Sequence, residues 1–434
     1  MCDRNRSTRN AGGRMALVTA AAAVLFGTAC STVPNREGSP AQGFVAPGYE
    51  EVRTEFERNL RSRGELGGAF AAYVDGNLVV DLWGGWADPK RTRPWERDTS
   101  VVVFSATKGV GAMTLAHLHS KGLLDYDRRV SEYWPEFAAK GKGDVTVRQL
   151  LSHQAGIVLT PEPLDARKPG EAARILADAE PLWTPGDYHG YHAGTVGFAM
   201  QALVLRVDPQ GRSVNRYLQE ELAGPLGADF TIGLTPEYDR ERMAVVKPFS
   251  PVEAMFHLGE MPKGLRKVVF DGKSLFWKSM GEGNVDVNSL EYLSGENPSG
   301  NGIGTARGLA ALYGEFAAGG KRIGLTPETL AAVFGPAETP RVDRLDRVMN
   351  LDSYFGLGFQ KPNPDDGWFS ENPAAIGFLG ASGAIGVADP AYRVGFAYVT
   401  NRMSPGTQVN DPRERALQDA LYRALRTRQE GDRR

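Results

Sequence analysis

Val102-Val103-Phe104-Ser105-Ala106-Thr107-Lys108-Gly109-Val110 is the stretch on which the reading of this chain turns. An apolar run passes into Ser-x-x-Lys, and Gly111, Ala112, Met113, Leu115, Ala116 and Leu118 follow at the spacing of a buried helix. A helix that starts near Ser105 puts the Ser105 hydroxyl and the Lys108 amine on one face, with Cβ atoms about 5–6 Å apart. Lys108 then lies in the first turn, where the positive end of the helix dipole disfavours a second positive charge and pushes the amine toward its neutral, basic form. A serine beside such a lysine is an activated nucleophile. Ser-x-x-Lys is also common by chance, so its partners decide.

Upstream, Gly67 to Gly85 reads as two apolar strands around Asp75-Gly76-Asn77, a hairpin signal. Downstream, Gly122 closes the Ser105 helix as a C-cap. Val145 to Gly156 reads as a short helix started by Thr146 and ended by a glycine turn, and Gly194 to Val207 and Thr305 to Gly319 read as further helices. Ala384 to Asn401 forms a second hairpin, and Pro412 to Arg428 a terminal helix. Strands at both ends with helices between predict an α+β chain: one antiparallel sheet built from both termini, beside a mostly helical lobe. The irregular stretch 248–300, with Phe256, His257, Phe270, Phe276 and Trp277 among many Gly, Lys and Met, reads as an inserted lid or lobe.

The chain has 434 residues, 24% of them charged, with a formal net charge of −2, a balance without the electrostatic footprint of a nucleic-acid binder. Its N-terminus differs. Arg4, Arg6, Arg9 and Arg14 precede the apolar run Met15 to Ala29, the pattern of an export signal and too short to span a bilayer comfortably. The run ends Leu25-Phe26-Gly27-Thr28-Ala29-Cys30, which resembles a bacterial lipobox with Gly27 where Leu is usual. Residues 1–30 therefore read as a signal peptide, Cys30 as the lipidation site, 31–48 as a flexible tether, 49–428 as the folded domain and 429–434 as a disordered tail. Cell-membrane anchoring through that lipid is the expected location; cleavage after Ala29 and secretion is the alternative. The only two cysteines are Cys2 and Cys30, which leaves the domain without a thiolate metal site or a disulfide.

Three patches in consistent order and spacing give the domain a resemblance to the serine β-lactamase and penicillin-binding-protein superfamily, in its class C-like branch that contains the family VIII carboxylesterases. The first is Ser105-Ala106-Thr107-Lys108, followed by Leu150-Leu151-Ser152-His153-Gln154-Ala155-Gly156. The second, Trp183 to Thr195, is similar to the Pro-Gly-x-x-x-x-Tyr-x-Asn region and places Tyr191 on the family's tyrosine, with Tyr188 its nearest competitor. The third, Gly377-Phe378-Leu379-Gly380-Ala381-Ser382-Gly383, stands where the family has Lys-Thr-Gly or His-x-Gly on a strand. The resemblance implies a β-lactamase-like fold with Ser105 as nucleophile, Lys108 as base or proton relay, Tyr191 as general base and acid, and the backbone N–H groups of Ser105 and Ala381 as oxyanion donors. It also implies that Phe378, Gly380 and His192 border the substrate, and that no metal or organic cofactor is needed.

Two departures set the expected substrate. Ala193 replaces the Asn of Tyr-x-Asn, and Phe378 replaces the family's Lys or His, the group that meets a substrate carboxylate. A β-lactam or a D-Ala-D-Ala peptide carries that carboxylate, whereas a simple ester need not. The expected activity is therefore hydrolysis of a small or medium acyl ester. The alternatives are a β-lactamase or D,D-peptidase and, in another class, a catalytically silent surface binding protein. His153 reads as structural, and His189 and His192 as pocket-lining or turn residues. His117 and His119 fall on different helix faces, no His-Glu-x-x-His argues for zinc, no Gly-x-Ser-x-Gly elbow argues for an α/β-hydrolase, and Gly300 to Gly304 reads as a turn.

Overall fold

The two hairpins read from the sequence meet at the centre of one sheet in the computed structural model, which describes residues 40–249, 253, 257, 261–280, 286–364, 369–404 and 411–432. The first part of the chain comprises β1 (Gln42–Val45), α1 (Glu50–Ser62), β2 (Gly67–Val74), β3 (Asn77–Gly85), β4 (Val101–Val102) and α2 (Ala106–Ser120). The middle holds α3 (Val147–Leu151), α4 (Pro169–Asp178), α5 (Thr195–Val207), β5 (Phe230–Ile232), α6 (Lys263–Phe270) and α7 (Leu275–Met280). It ends with β6 (Gly302–Gly304), α8 (Ala306–Ala318), β7 (Phe355–Gly356), β8 (Phe359–Gln360), β9 (Ile376–Leu379), β10 (Ile385–Asp389), β11 (Val394–Thr400) and α9 (Pro412–Asp432).

The eight-stranded antiparallel sheet has the order β1-β3-β2-β11-β10-β9-β8-β7, so the N-terminal and C-terminal strands join where β2 pairs with β11, from Val394 opposite Val74 to Thr400 opposite Gly68. Asp75 and Gly76 both have positive φ, the paired left-handed residues that a two-residue hairpin turn requires. One face of the sheet is closed by α1 and α9, with Val52, Phe56, Phe70, Phe396, Leu417 and Leu421 in a shared cluster. The same ends are tied by polar contacts: buried Arg413 pairs with Asp411 at 2.6 Å and Glu65 at 3.3 Å, and the Asn59 side-chain amide donates to the Arg413 carbonyl at 2.9 Å. The other face carries α8, on β2, β11 and β10, and α2, on β8, β9 and β10; residues 106–118 of α2 are all buried.

Three readings are corrected. Gln42–Val45, assigned to the tether, is an edge strand paired with β3, because the Ala-Gln-Gly-Phe-Val segment is extended alongside an otherwise open strand edge. The terminal helix continues to Asp432, so residues 429–432 are helical rather than a tail. Gly302–Gly304, read as a turn, is the central strand of a second sheet of order β4-β6-β5. Glycine is needed there for close packing: a Cβ on Gly302 would lie 2.6 Å from both the Phe230 ring and Thr107 Oγ1. This small sheet holds the strand that leads into Ser105, since Val103 N–H donates to Gly302 O at 2.9 Å and Gly302 N–H to Thr107 Oγ1 at 2.8 Å. The signal-like segment and Cys30 lie outside the described residues.

Candidate active site

Ser105 occupies the N-cap of α2, partly exposed between the buried Phe104 and Ala106. Phe104 has φ +51°, a left-handed conformation that costs an aromatic residue about 1 kcal/mol or more. Thr107 Oγ1 donates to the Phe104 carbonyl and the Phe104 ring packs near Tyr292, so the turn is held from both sides. The strain thus sits next to the serine hydroxyl, which it turns outward from a fully buried helix.

Two side chains converge on that hydroxyl. Lys108 Nζ lies 3.1 Å from Ser105 Oγ, and Tyr191 O–H donates to the same oxygen at 2.8 Å. Lys108 is buried, and its other contacts are the carbonyls of Ala193 at 2.8 Å and Ser299 at 2.7 Å. Ala193 therefore meets the lysine through its backbone, while its side chain supplies no amide. Burial holds the Lys108 amine well below its ordinary pKa. The cause is desolvation by burial. A neutral amine has two N–H groups, enough for the two carbonyls, and one lone pair, which is left for the Ser105 proton.

Tyr191 is held as a neutral phenol: burial raises its pKa, the Ser105 hydrogen bond lowers it, and the buried Asp346 carboxyl raises it further. Its ring stacks on Phe355 at 6.2 Å and on Phe378 at 6.4 Å. Lys108 Nζ is 5.0 Å from the Tyr191 ring centroid and 5.7 Å from that of Phe378, so lysine and tyrosine meet on the serine and not on each other. Tyr191, and not its competitor Tyr188, is the tyrosine hydrogen-bonded to Ser105, and the Tyr188 ring is covered by the Arg347 guanidinium at 3.7 Å. Tyr191→Phe is expected to lower kcat/KM for a p-nitrophenyl ester about 10²–10³-fold, the range of a lost proton donor, with an unchanged melting temperature.

Gly380, at the end of β9, donates its N–H to Ala384 O at 2.7 Å, and a Cβ there would lie 2.0 Å from Val103 O and 3.4 Å from Ala106 N. A glycine there thus lets β9 approach the Ser105 turn. Neither the Ser105 nor the Ala381 N–H has a hydrogen-bond acceptor among the described residues, which leaves both open to the oxyanion role that the resemblance implies. Gly380→Ala is expected to cost about 1–3 kcal/mol of stability through overpacking, measured by urea denaturation.

His192 is also corrected. It is buried, its Nε2 accepts from Ile157 N–H at 3.1 Å and its Nδ1 contacts Gly190 O at 2.5 Å, so it braces the Tyr191 loop instead of meeting substrate. Burial lowers its pKa to about 3, which keeps it neutral. His153 Nδ1 accepts from His192 N–H at 3.1 Å, a structural role as read from the sequence, and His189 contacts the Ser152 and Glu338 carbonyls. Phe378 is fully buried among Val158, Tyr191, Val348 and Phe355 and makes an apolar wall where a cation would stand. The sequence reading missed Ser299, whose Oγ donates to Gly194 O at 2.6 Å and accepts from Gly197 N–H at 2.8 Å, and so aims its own carbonyl at Lys108. Ser299 falls within the irregular stretch 248–300 that reads as an inserted lid or lobe. Leu275 and Phe276 of α7 pack on the Tyr191–Phe378 cluster, so α7 in the stretch 248–300 borders the site. Among the described residues no group of His, Cys, Asp and Glu could hold a metal, and no helix is long and apolar enough to cross a membrane.

The family model "Beta-lactamase" matches residues 52–420. An esterase/beta-lactamase, LipL, of Mycobacterium tuberculosis is 34% identical over 378 residues, 83% of each chain. A solved family VIII carboxylesterase superposes with a TM-score of 0.78 at 33% identity, covering 88% of this chain and 99% of its own. A penicillin-binding-protein homologue from Caulobacter crescentus gives 0.75 at 34% identity, with coverage of 88% and 99%.

Proposed function

The chain belongs to the β-lactamase family, and from that premise we propose that this serine hydrolase is a carboxylesterase that cleaves small or medium acyl esters through an acyl group carried on Ser105. The observation that carries the proposal is the convergence of Lys108 Nζ and Tyr191 Oη on Ser105 Oγ, at 3.1 and 2.8 Å. Ser105 Oγ attacks the ester carbonyl as its proton passes to the neutral Lys108 amine. The carbonyl oxygen, now negative, takes hydrogen bonds from the Ser105 and Ala381 N–H groups. As the tetrahedral intermediate collapses, Tyr191 gives its proton to the leaving alkoxide, which leaves a phenolate to take the proton of the incoming water and a protonated Lys108 to return one to Ser105. Water then follows the reverse path: the phenolate removes its proton, it attacks the acyl carbon, and Ser105 leaves with a proton restored.

The ester is preferred over the β-lactam because Phe378 offers no charge to a substrate carboxylate. A hydrogen bond to a charged group contributes about 1.5–3 kcal/mol. A chromogenic cephalosporin is therefore expected to show kcat/KM about 10–100-fold or more below that of p-nitrophenyl butyrate. Turnover of the cephalosporin above the ester would reverse the assignment. Export is part of the proposal: Arg4 to Arg14, the Met15 to Ala29 run and Cys30 support a lipid-anchored protein at the cell membrane, with secretion as the alternative. Mass spectrometry of the mature N-terminus tests this, and an unmodified Cys30 would contradict the anchor.

A further inference from the structure

The α6–α7 hairpin has one side on the candidate site and another on solvent. Leu275 and Phe276 pack against the Tyr191–Phe378 cluster, and Leu265 is buried. The hairpin is closed by its own contacts, with Ser274 Oγ donating to Val268 O at 2.6 Å and Trp277 Nε1 to Val269 O at 2.8 Å. Yet Phe270 is 63% exposed, Trp277 44% and Met280 50%, three large apolar side chains within eleven residues. Lys263, Lys267 and Phe270 fall at i, i+4 and i+7 of α6 and so share its outward face.

The charge around these apolar groups is one-sided. Residues 261–280 carry Lys263, Arg266, Lys267, Lys273 and Lys278 against a single Asp271, a local balance of +4 in a chain of net −2. Lys263, Lys267, Lys273 and Lys278 are exposed, and none is paired with a carboxylate among the described residues. Exposed Phe and Trp in a rim of lysines is the chemistry of a helix that lies in a bilayer interface, apolar groups in the acyl boundary and cations over anionic headgroups. A protein surface of ordinary composition would not match both features at once.

We propose that residues 261–280 form a docking element for an anionic lipid bilayer, seated through Phe270, Trp277 and Met280 with Lys263, Lys267, Lys273 and Lys278 over the headgroups. The proposal does not depend on which ester is cleaved, and its test does not use turnover. A local readout is required, because the apolar Met15 to Ala29 run adds lipid affinity of its own to the full chain. The full chain and its Trp277→Phe variant are mixed with vesicles of phosphatidylglycerol and phosphatidylcholine whose acyl chains are brominated, and tryptophan quenching is compared. The expected result is a quenched component present in the parent and absent from Trp277→Phe. Each lysine near an anionic surface contributes about five-fold to partition, so Lys263→Gln with Lys267→Gln is expected to need roughly twenty-five-fold more lipid for the same quenching. Circular dichroism confirms that the variants are folded, and Ser105→Ala is expected to quench like the parent. Absence of a Trp277 component, the result also expected if this face binds another protein, would overturn the proposal. So would equal quenching in pure phosphatidylcholine vesicles.

Discussion

Ser105→Ala is expected to lower kcat/KM for p-nitrophenyl butyrate by about 10⁴-fold or more, the loss seen when the nucleophile of a covalent mechanism is removed. The residual rate belongs to the oxyanion donors and to binding alone. Stability is expected to stay within about 1 kcal/mol of the parent, because the side chain is partly exposed and its only described hydrogen bonds are those to Lys108 and Tyr191. Loss of turnover without loss of fold is what separates a nucleophile from a packing residue. Paired kinetics and urea denaturation measure both.

Lys108→Met is the second large effect, about 10³-fold or more in kcat/KM, because the group that accepts the Ser105 proton is gone while the apolar volume is kept. Its pH signature has a definite sign. Burial lowers the pKa of Lys108 in the fold, whereas the unfolded chain holds an ordinary lysine. Between the lowered value and the ordinary one the unfolded state binds more protons, so this residue makes stability rise with pH across that window. Below the lowered value the amine is charged in both states and its destabilising contribution is complete. Lys108→Met is expected to flatten that part of the stability profile. The gain is offset where the Ala193 and Ser299 carbonyls lose their donor, which limits the net change in melting temperature to a few degrees. In the parent, kcat/KM is expected to fall as pH drops through the lowered Lys108 value, because only the neutral amine can take the serine proton.

What the sequence reveals here is whatever depends on local pattern. The Asp75-Gly76 hairpin, the Ser105 helix, the helix started by Thr146, the Thr305 to Gly319 helix and the last hairpin all carry their own turn or capping chemistry, and each stands where it was read. Elements defined by distant partners were not legible. β4, β5 and β6 have two or three residues each and exist only because they pair across the chain. β1 is an exposed strand of ordinary loop composition that needs the β3 edge.

The site divides in the same way. Ser105, Lys108 and Tyr191 lie in patterned stretches and come together as expected. Ser299 acts through its carbonyl, which any residue type has, so no side chain announces it. His192 was misread for a related reason: an imidazole in a catalytic loop looks chemical, yet its two nitrogens face backbone groups. The dipole argument gave the direction of the Lys108 shift but not its burial, since only the fold reveals that the amine is fully enclosed.

The most direct test is covalent. The protein is treated with a fluorophosphonate, digested and mapped by mass spectrometry, beside Ser105→Ala and Lys108→Met. The expected result is a single adduct on the peptide that contains Ser105, absent from Ser105→Ala and formed at least about a hundred-fold more slowly in Lys108→Met. A folded protein that takes no label, or takes it at another residue, would contradict Ser105 as nucleophile and favour a surface binding protein that keeps the fold.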